Sequence, residues 1–109
     1  MSNVTTYNFP TRIRFGAGAR HELGSVLSEA GVWRPSIVTD RGIARLDWFK
    51  KLVESLGHDF EVNVFSDFEG NPIGSHVMAG VASVRSHAAD AIIAVGGGAA
   101  IDVAKAIAA

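Results

Sequence analysis

Cysteine is absent from the chain, which excludes disulfides and thiol chemistry. An excess of charge is absent too. Ten basic and 11 acidic residues leave a formal net charge of −1 over 109 residues, with both signs scattered. A nucleic-acid-binding face needs a basic patch, and none is indicated. No apolar run approaches the roughly 20 residues that cross a bilayer. The opening "MSNVTTYNFP" has neither the basic nor the apolar segment of a secretory signal. A cytoplasmic protein is the expectation. Metal-ligand clusters are missing as well. His21, His58, His76 and His87 are dispersed, and the last two stand three helical turns apart, too far for one ion. Surface histidines are expected. No Ser/His/Asp constellation has supporting context.

Apolar residues and glycine are what the chain has in quantity. Hydrophobic residues make up 48% before the 12 glycines are added, against about 45–50% with glycine included in an ordinary globular chain. That excess points to deeply buried elements, or to a surface that something else covers. The length suffices for one domain with its own core.

Short apolar runs alternate with helical periodicity. "TTYNF" and "RIRF" alternate polar and apolar around Pro10-Thr11 and read as an N-terminal β-hairpin. Leu23, Val26, Leu27 and Ala30 then mark one helix face, with Gly31 as its stop. "SIVTD" (36–40) reads as a buried strand ending in an acid. Phe49, Leu52, Val53 and Leu56 mark a helix over 44–56, capped by Gly57. "EVNVF" (61–65) alternates as a strand, and "DFEGNP" (67–72) has loop chemistry. Val77, Val81 and Val84 form the stripe of a helix from about Ile73 to His87. "AIIAV" (91–95) is wholly apolar, the mark of a strand covered on both faces. Three glycines and a helix from about Ala99 follow. After the hairpin the order is α-β-α-β-α-β-α. That order predicts an α/β fold, a Rossmann-like doubly wound parallel sheet in α/β/α layers.

Two glycine clusters invite a phosphate. "RIRFGAGARHELG" follows a strand, but the G-x-G-x-x-G spacing needs glycine where His21 stands. A tight turn into a helix is the reading there. Gly96-Gly97-Gly98 differs in context, because it follows the most buried strand and opens a helix. In open α/β sheets, ligands bind beyond the carboxyl ends of strands. Glycines let the backbone approach a phosphate, and a helix N-terminus offers unpaired N–H groups. A pyrophosphate seat and a tightly packed turn both remain open on these grounds. Asp40, at the end of an earlier strand, suits an adenosine ribose and disfavours a 2′-phosphate, hence NAD over NADP. Arg41 beside it softens that preference, and a helix N-cap is the competing role for Asp40. Asp102 and Lys105 lie three apart on the last helix, as a surface ion pair or as charges facing a cleft. Asn71-Pro72 serves as turn chemistry, on the same rim as Asp40 and the glycines.

Taken together, "RIRFGAGA", "IVTDRGI", "VFSDFEGNPI" and "AVGGGAAIDVAKAIA" resemble the iron-containing alcohol dehydrogenase family, within the dehydroquinate synthase-like superfamily. The resemblance covers essentially the whole chain and matches the family's N-terminal NAD(P)-binding domain, here residues 1–109. It implies NAD(P)H-dependent interconversion of an alcohol and an aldehyde or ketone. Gly97 and Gly98 would bind the pyrophosphate, and Asp40 the adenosine ribose. Asn71 would line the cofactor groove. Asp102 would face the nicotinamide and substrate, with Lys105 near it. Ala99 departs from the family's usual Ser or Thr, which removes one hydroxyl donor but leaves the backbone N–H groups.

The resemblance also implies a divalent metal, usually iron and sometimes zinc, held by one Asp and three His of a C-terminal helical domain. None of those ligands is expected in this chain, and no catalytic residue is assigned to it. No Gly, Asn or Pro ends the last helix after Lys105, so a fragment without dehydrogenase activity of its own is the expectation. A homodimer or higher homo-oligomer, paired through the N-terminal strands, is implied as well. A non-catalytic nucleotide-binding or dimerisation module is the alternative, as is a glycerol-, glycerol-phosphate- or maleylacetate-type branch. D-x-x-K and Asn71-Pro72 favour the alcohol dehydrogenase branch.

Overall fold

The computed structural model describes residues 11–15, 23–68, 74–96 and 98–108, with the backbone alone for 11–15 and Gly98. Its centre is the wholly apolar run. Strand β4 (Ala91–Val95) is flanked on both sides, so its five side chains are all buried, none more than 4% exposed. Strand β1 (Thr11–Phe15) pairs with one side of it, and β2 (Pro35–Val38) with the other. Strand β3 (Asn63–Phe65) pairs with the far side of β2. The sheet order is therefore β1-β4-β2-β3, and every pairing is parallel. The register sets Thr11 and Pro35 opposite Ala91, and Ser36 opposite Asn63. The doubly wound parallel sheet expected from the sequence is what forms. The first half of the expected hairpin lies outside the described residues.

Side chains alternate along a strand, and that alternation builds two cores. Ala91, Ile93 and Val95 face one layer, together with Ile37. This layer is made by helices α1 (Leu23–Glu29) and α3 (Asp47–Leu56), through Leu23, Leu27, Phe49, Leu52 and Leu56. Ile92, Ala94 and Val38 face the other. That layer is made by helices α4 (Gly74–His87) and α5 (Gly98–Ala108), through Val84, Ala100, Val103, Ala104 and Ile107. Each large side chain so buried contributes about 1.5–3 kcal/mol of transfer free energy. No helix among the described residues is long and apolar enough to cross a membrane.

Local details depart from the periodicity in three places. The stripe on α1 is narrower than expected, because Val26 is 39% exposed and only Leu23 and Leu27 are buried. The helix expected over 44–56 begins three residues later, as α3, and a short helix α2 (Arg41–Ala44) that was not expected precedes it. Leu46, extended at ψ 142°, separates them, and Asp47 then favours a new helix dipole in its first turn. Gly80 is buried inside α4, where a Cβ would stand 2.4 Å from Ile107 Cδ1. Glycine there sets how closely α4 and α5 approach.

Candidate functional site

The helices after β2 and after β4 lie on opposite faces of the sheet, although the two strands are neighbours. Ligands of open α/β sheets bind at such a switch point, beyond the carboxyl ends of the two strands. Thr39, Asp40, Gly96 and the start of α5 at Gly98 meet there.

On the β2 side, Thr39 is fully buried. Its Oγ1 donates to the carbonyl of Val95 at 2.8 Å, so the end of β2 is tied to the end of β4. Its backbone N–H donates to Phe65 O at 3.1 Å, which ties it to β3 as well. Asp40 follows in extended conformation and caps α2, its Oδ1 accepting from Ile43 N at 2.8 Å. The N-cap role weighed for Asp40 is thus occupied. Its Oδ2 has no protein partner among the described residues, so one lone-pair edge remains for a ligand hydroxyl.

On the β4 side, Gly96 turns the chain at φ +122°, a conformation close to glycine-only. A Cβ there would also stand 2.7 Å from Ile43 Cδ1. Gly96 is therefore a packing glycine, over which α2 closes. Gly98 opens α5, one residue earlier than the periodicity suggests. Gly97 and Asn71 lie outside the described residues. The first turn of α5 leaves backbone N–H groups without intrahelical partners, facing the end of β4. Ala99 is half-buried and packs against the α4–α5 core.

Asp102 and Lys105 are exposed, on the side of α5 turned away from Ala100, Val103, Ala104 and Ile107. No ion pair joins the two; the pairs found between described residues are Arg34–Glu61 and Arg41–Asp67. The structure thus brings Asp40 and the opening of α5 together, and Asp102 and Lys105 lie on the exposed side of α5.

The segment after β3 closes the rim. Phe68 is fully buried, its ring 6.0 Å from that of Phe65. Its carbonyl accepts from Arg41 N at 3.0 Å. The Arg41 guanidinium pairs with Asp67. That hydrogen bond and charge hold the exposed Asp67 carboxyl below its ordinary value of 3.8, helped slightly by His76. Thr39, Ile43, Asp67 and Phe68 were not among the residues singled out in sequence. Thr39 had one visible signal, a hydroxyl closing an apolar strand. A groove of about 720 Å³ also runs along α3, lined by Trp48, Leu52, Leu56 and Phe60 among others. None of the rim residues lines it. Among the described residues no three His, Cys, Asp or Glu side chains come together to hold a metal ion.

A family model, iron-containing alcohol dehydrogenase, matches residues 10–109. The chain belongs to the iron-containing alcohol dehydrogenase family. It is 34% identical over 108 residues to a choline dehydrogenase of Bacillus subtilis, covering 98% of this chain and 27% of that protein. Two solved structures of the family share its fold. Sulfoacetaldehyde reductase from Bifidobacterium kashiwanohense, in complex with NAD+, superposes with a TM-score of 0.75 at 30% identity, over 95% of this chain and 27% of that one. NADH-dependent butanol dehydrogenase A from Thermotoga maritima gives 0.75 at 29% identity, over 100% and 28%. This member of the iron-containing alcohol dehydrogenase family thus spans about a quarter of the length of the relatives it matches.

Proposed function

We propose that residues 1–109 are the dinucleotide-binding part of an NAD(P)-linked, metal-dependent alcohol dehydrogenase that interconverts an alcohol and an aldehyde or ketone. The observation that carries this reading is the switch point between β2 and β4. There a glycine at φ +122° leads into the open N-terminus of α5 beside the half-occupied Asp40 carboxylate. The fit to a dinucleotide is physical. Glycine at 96 allows the turn at φ +122° and the close approach of Ile43 that together set the end of β4 against α2. Backbone N–H groups at the opening of α5 would hold the pyrophosphate, aided by the helix dipole. Asp40 Oδ2 would accept from a ribose hydroxyl and favour NAD over NADP. Gly97, Asn71, Asp102 and Lys105 are carried over as groove residues by the family resemblance.

A bound nicotinamide supplies or accepts the hydride. The residues of this chain bind and orient it, and none is assigned a proton-transfer role. The described residues do not fit a metal site, so no step is routed through one here. Its ligands, to iron or zinc, are proposed to lie outside these 109 residues, and the chain by itself is expected to be inactive. Cytoplasmic location and pairing of subunits through the N-terminal strands belong to the same proposal. Calorimetric titration of the 109-residue chain with NADH tests the reading. Saturable one-to-one binding is expected, together with no turnover of alcohols. Absence of binding contradicts it.

A further inference from the structure

The carboxyl rim carries an ion pair that the dinucleotide reading does not use. Arg41 follows Asp40 directly, and its guanidinium is paired with Asp67 from the segment after β3. Backbone bonds fix the two against each other. Thr39 N donates to Phe65 O, Arg41 N to Phe68 O at 3.0 Å, and Phe68 N to Ser66 O at 2.8 Å. The fully buried Phe68 ring anchors this segment. Asp67 is thus presented to Arg41 by the fold, unlike a chance surface contact between two long side chains.

An arginine beside the ribose-binding acid is the residue type that accommodates a 2′-phosphate in dinucleotide folds. Here its charge is countered by Asp67. Asp40, Arg41 and Asp67 together carry one net negative charge at this end of β2. We infer that Asp67 is a specificity-determining residue, which sets the rim against 2′-phosphorylated dinucleotides by neutralising Arg41. The inference rests on the assignment of Asp40 to the adenosine ribose. It predicts that NAD preference is the property of a three-residue charge set that includes a residue 27 positions beyond Asp40.

Dissociation constants for NADH and NADPH, measured for the chain and for Asp67→Asn, Arg41→Ala and the double variant, test it. The unaltered chain binds NADH more tightly than NADPH. Asp67→Asn tightens NADPH binding by roughly threefold to tenfold, the scale of one exposed charge contact, and changes NADH binding less than about twofold. The gain is absent from the double variant and shrinks in high salt, where exposed charges are screened. An unmoved NADPH/NADH ratio in Asp67→Asn overturns the inference while leaving the dinucleotide seat in place. So does a gain that survives Arg41→Ala. Failure of every form to bind either dinucleotide contradicts the seat itself, and this inference with it.

Discussion

The two ends of the same parallel sheet are built on opposite terms. At the amino end, side chains knit distant segments together. Asp90 accepts from Trp33 N at 2.8 Å and Arg34 N at 2.9 Å. Arg34 Nε donates to His87 O at 2.8 Å, and its Nη1 to Glu61 Oε1 at 2.7 Å. His87 Nε2 lies 2.7 Å from Glu61 O, and since a carbonyl only accepts, that ring nitrogen is the donor. Strands β2, β3 and β4 therefore enter the sheet through one closed polar clasp. At the carboxyl end, the same strands leave into a glycine turn, a helix opening and an acid with one oxygen to spare. Closing polar groups on one another stabilises a fold, while leaving them unmet prepares it for a ligand. The difference separates residues that hold this protein together from residues that give it something to bind.

The comparison is most severely tested at Asp90. Replacing it with alanine leaves two backbone N–H groups without their charged acceptor, a loss of about 2–3 kcal/mol. The urea midpoint is expected to fall accordingly, while NADH affinity of the folded protein stays as it was. Gly96→Ala probes the other end. Strain at φ +122° and the close approach of Ile43 Cδ1 together cost about 2 kcal/mol. Here NADH affinity, read by fluorescence, is expected to fall with stability. A loss of affinity in Asp90→Ala equal to that in Gly96→Ala removes the distinction between the two ends.

A smaller effect sits in two helix ends that close with the same hydrogen bonds. After α1, Val32 N donates to Leu27 O and Gly31 N to Ser28 O, with Gly31 at φ +73°. After α4, Ala89 N donates to Val84 O and Ala88 N to Arg85 O, but the left-handed residue is Ala88, at φ +57°. Ala88→Gly relieves that strain and is expected to raise stability by about 0.5–1 kcal/mol after the greater freedom of the unfolded chain is allowed for. Thermal unfolding reads the shift.

The smallest effect is a pH dependence at the carboxyl rim. The folded-state value of Asp67 is lowered by Arg41. The stabilisation is therefore fully present above the unfolded value and is lost as pH falls through the folded one. The window lies below 3.8. Urea titrations of Asp67→Asn are expected to lose stability less steeply there than those of the unaltered chain.

Sequence periodicity reads contacts within one element, and it served best where one element decides. The run 91–95 was located to the residue, because a strand buried on both faces has no polar position to blur it. Asp40 as a cap was legible too, since donor and acceptor are three residues apart. The short helix α2 and its break from α3 were hidden, because four residues carry no periodicity and Leu46 at the break is neither Gly nor Pro. The clasp at the amino end was out of reach. Its partners stand 26 to 57 positions apart, and nothing in the sequence around His87 points to Glu61 O. At the site, the glycine triplet announced a turn. That its first member serves the packing of Ile43 becomes visible only when α2 lies over β4.

Backbone amide shifts of the 109-residue chain, followed by two-dimensional NMR during titration with NAD+, address the carboxyl rim directly. Saturable shifts are expected at Asp40, Arg41, Gly96, Gly98 and Ala99, with Trp33, Arg34 and Asp90 unmoved. Shifts centred on the amino-end clasp or on the α3 groove, or no shifts at all, would contradict a dinucleotide seat at the carboxyl rim.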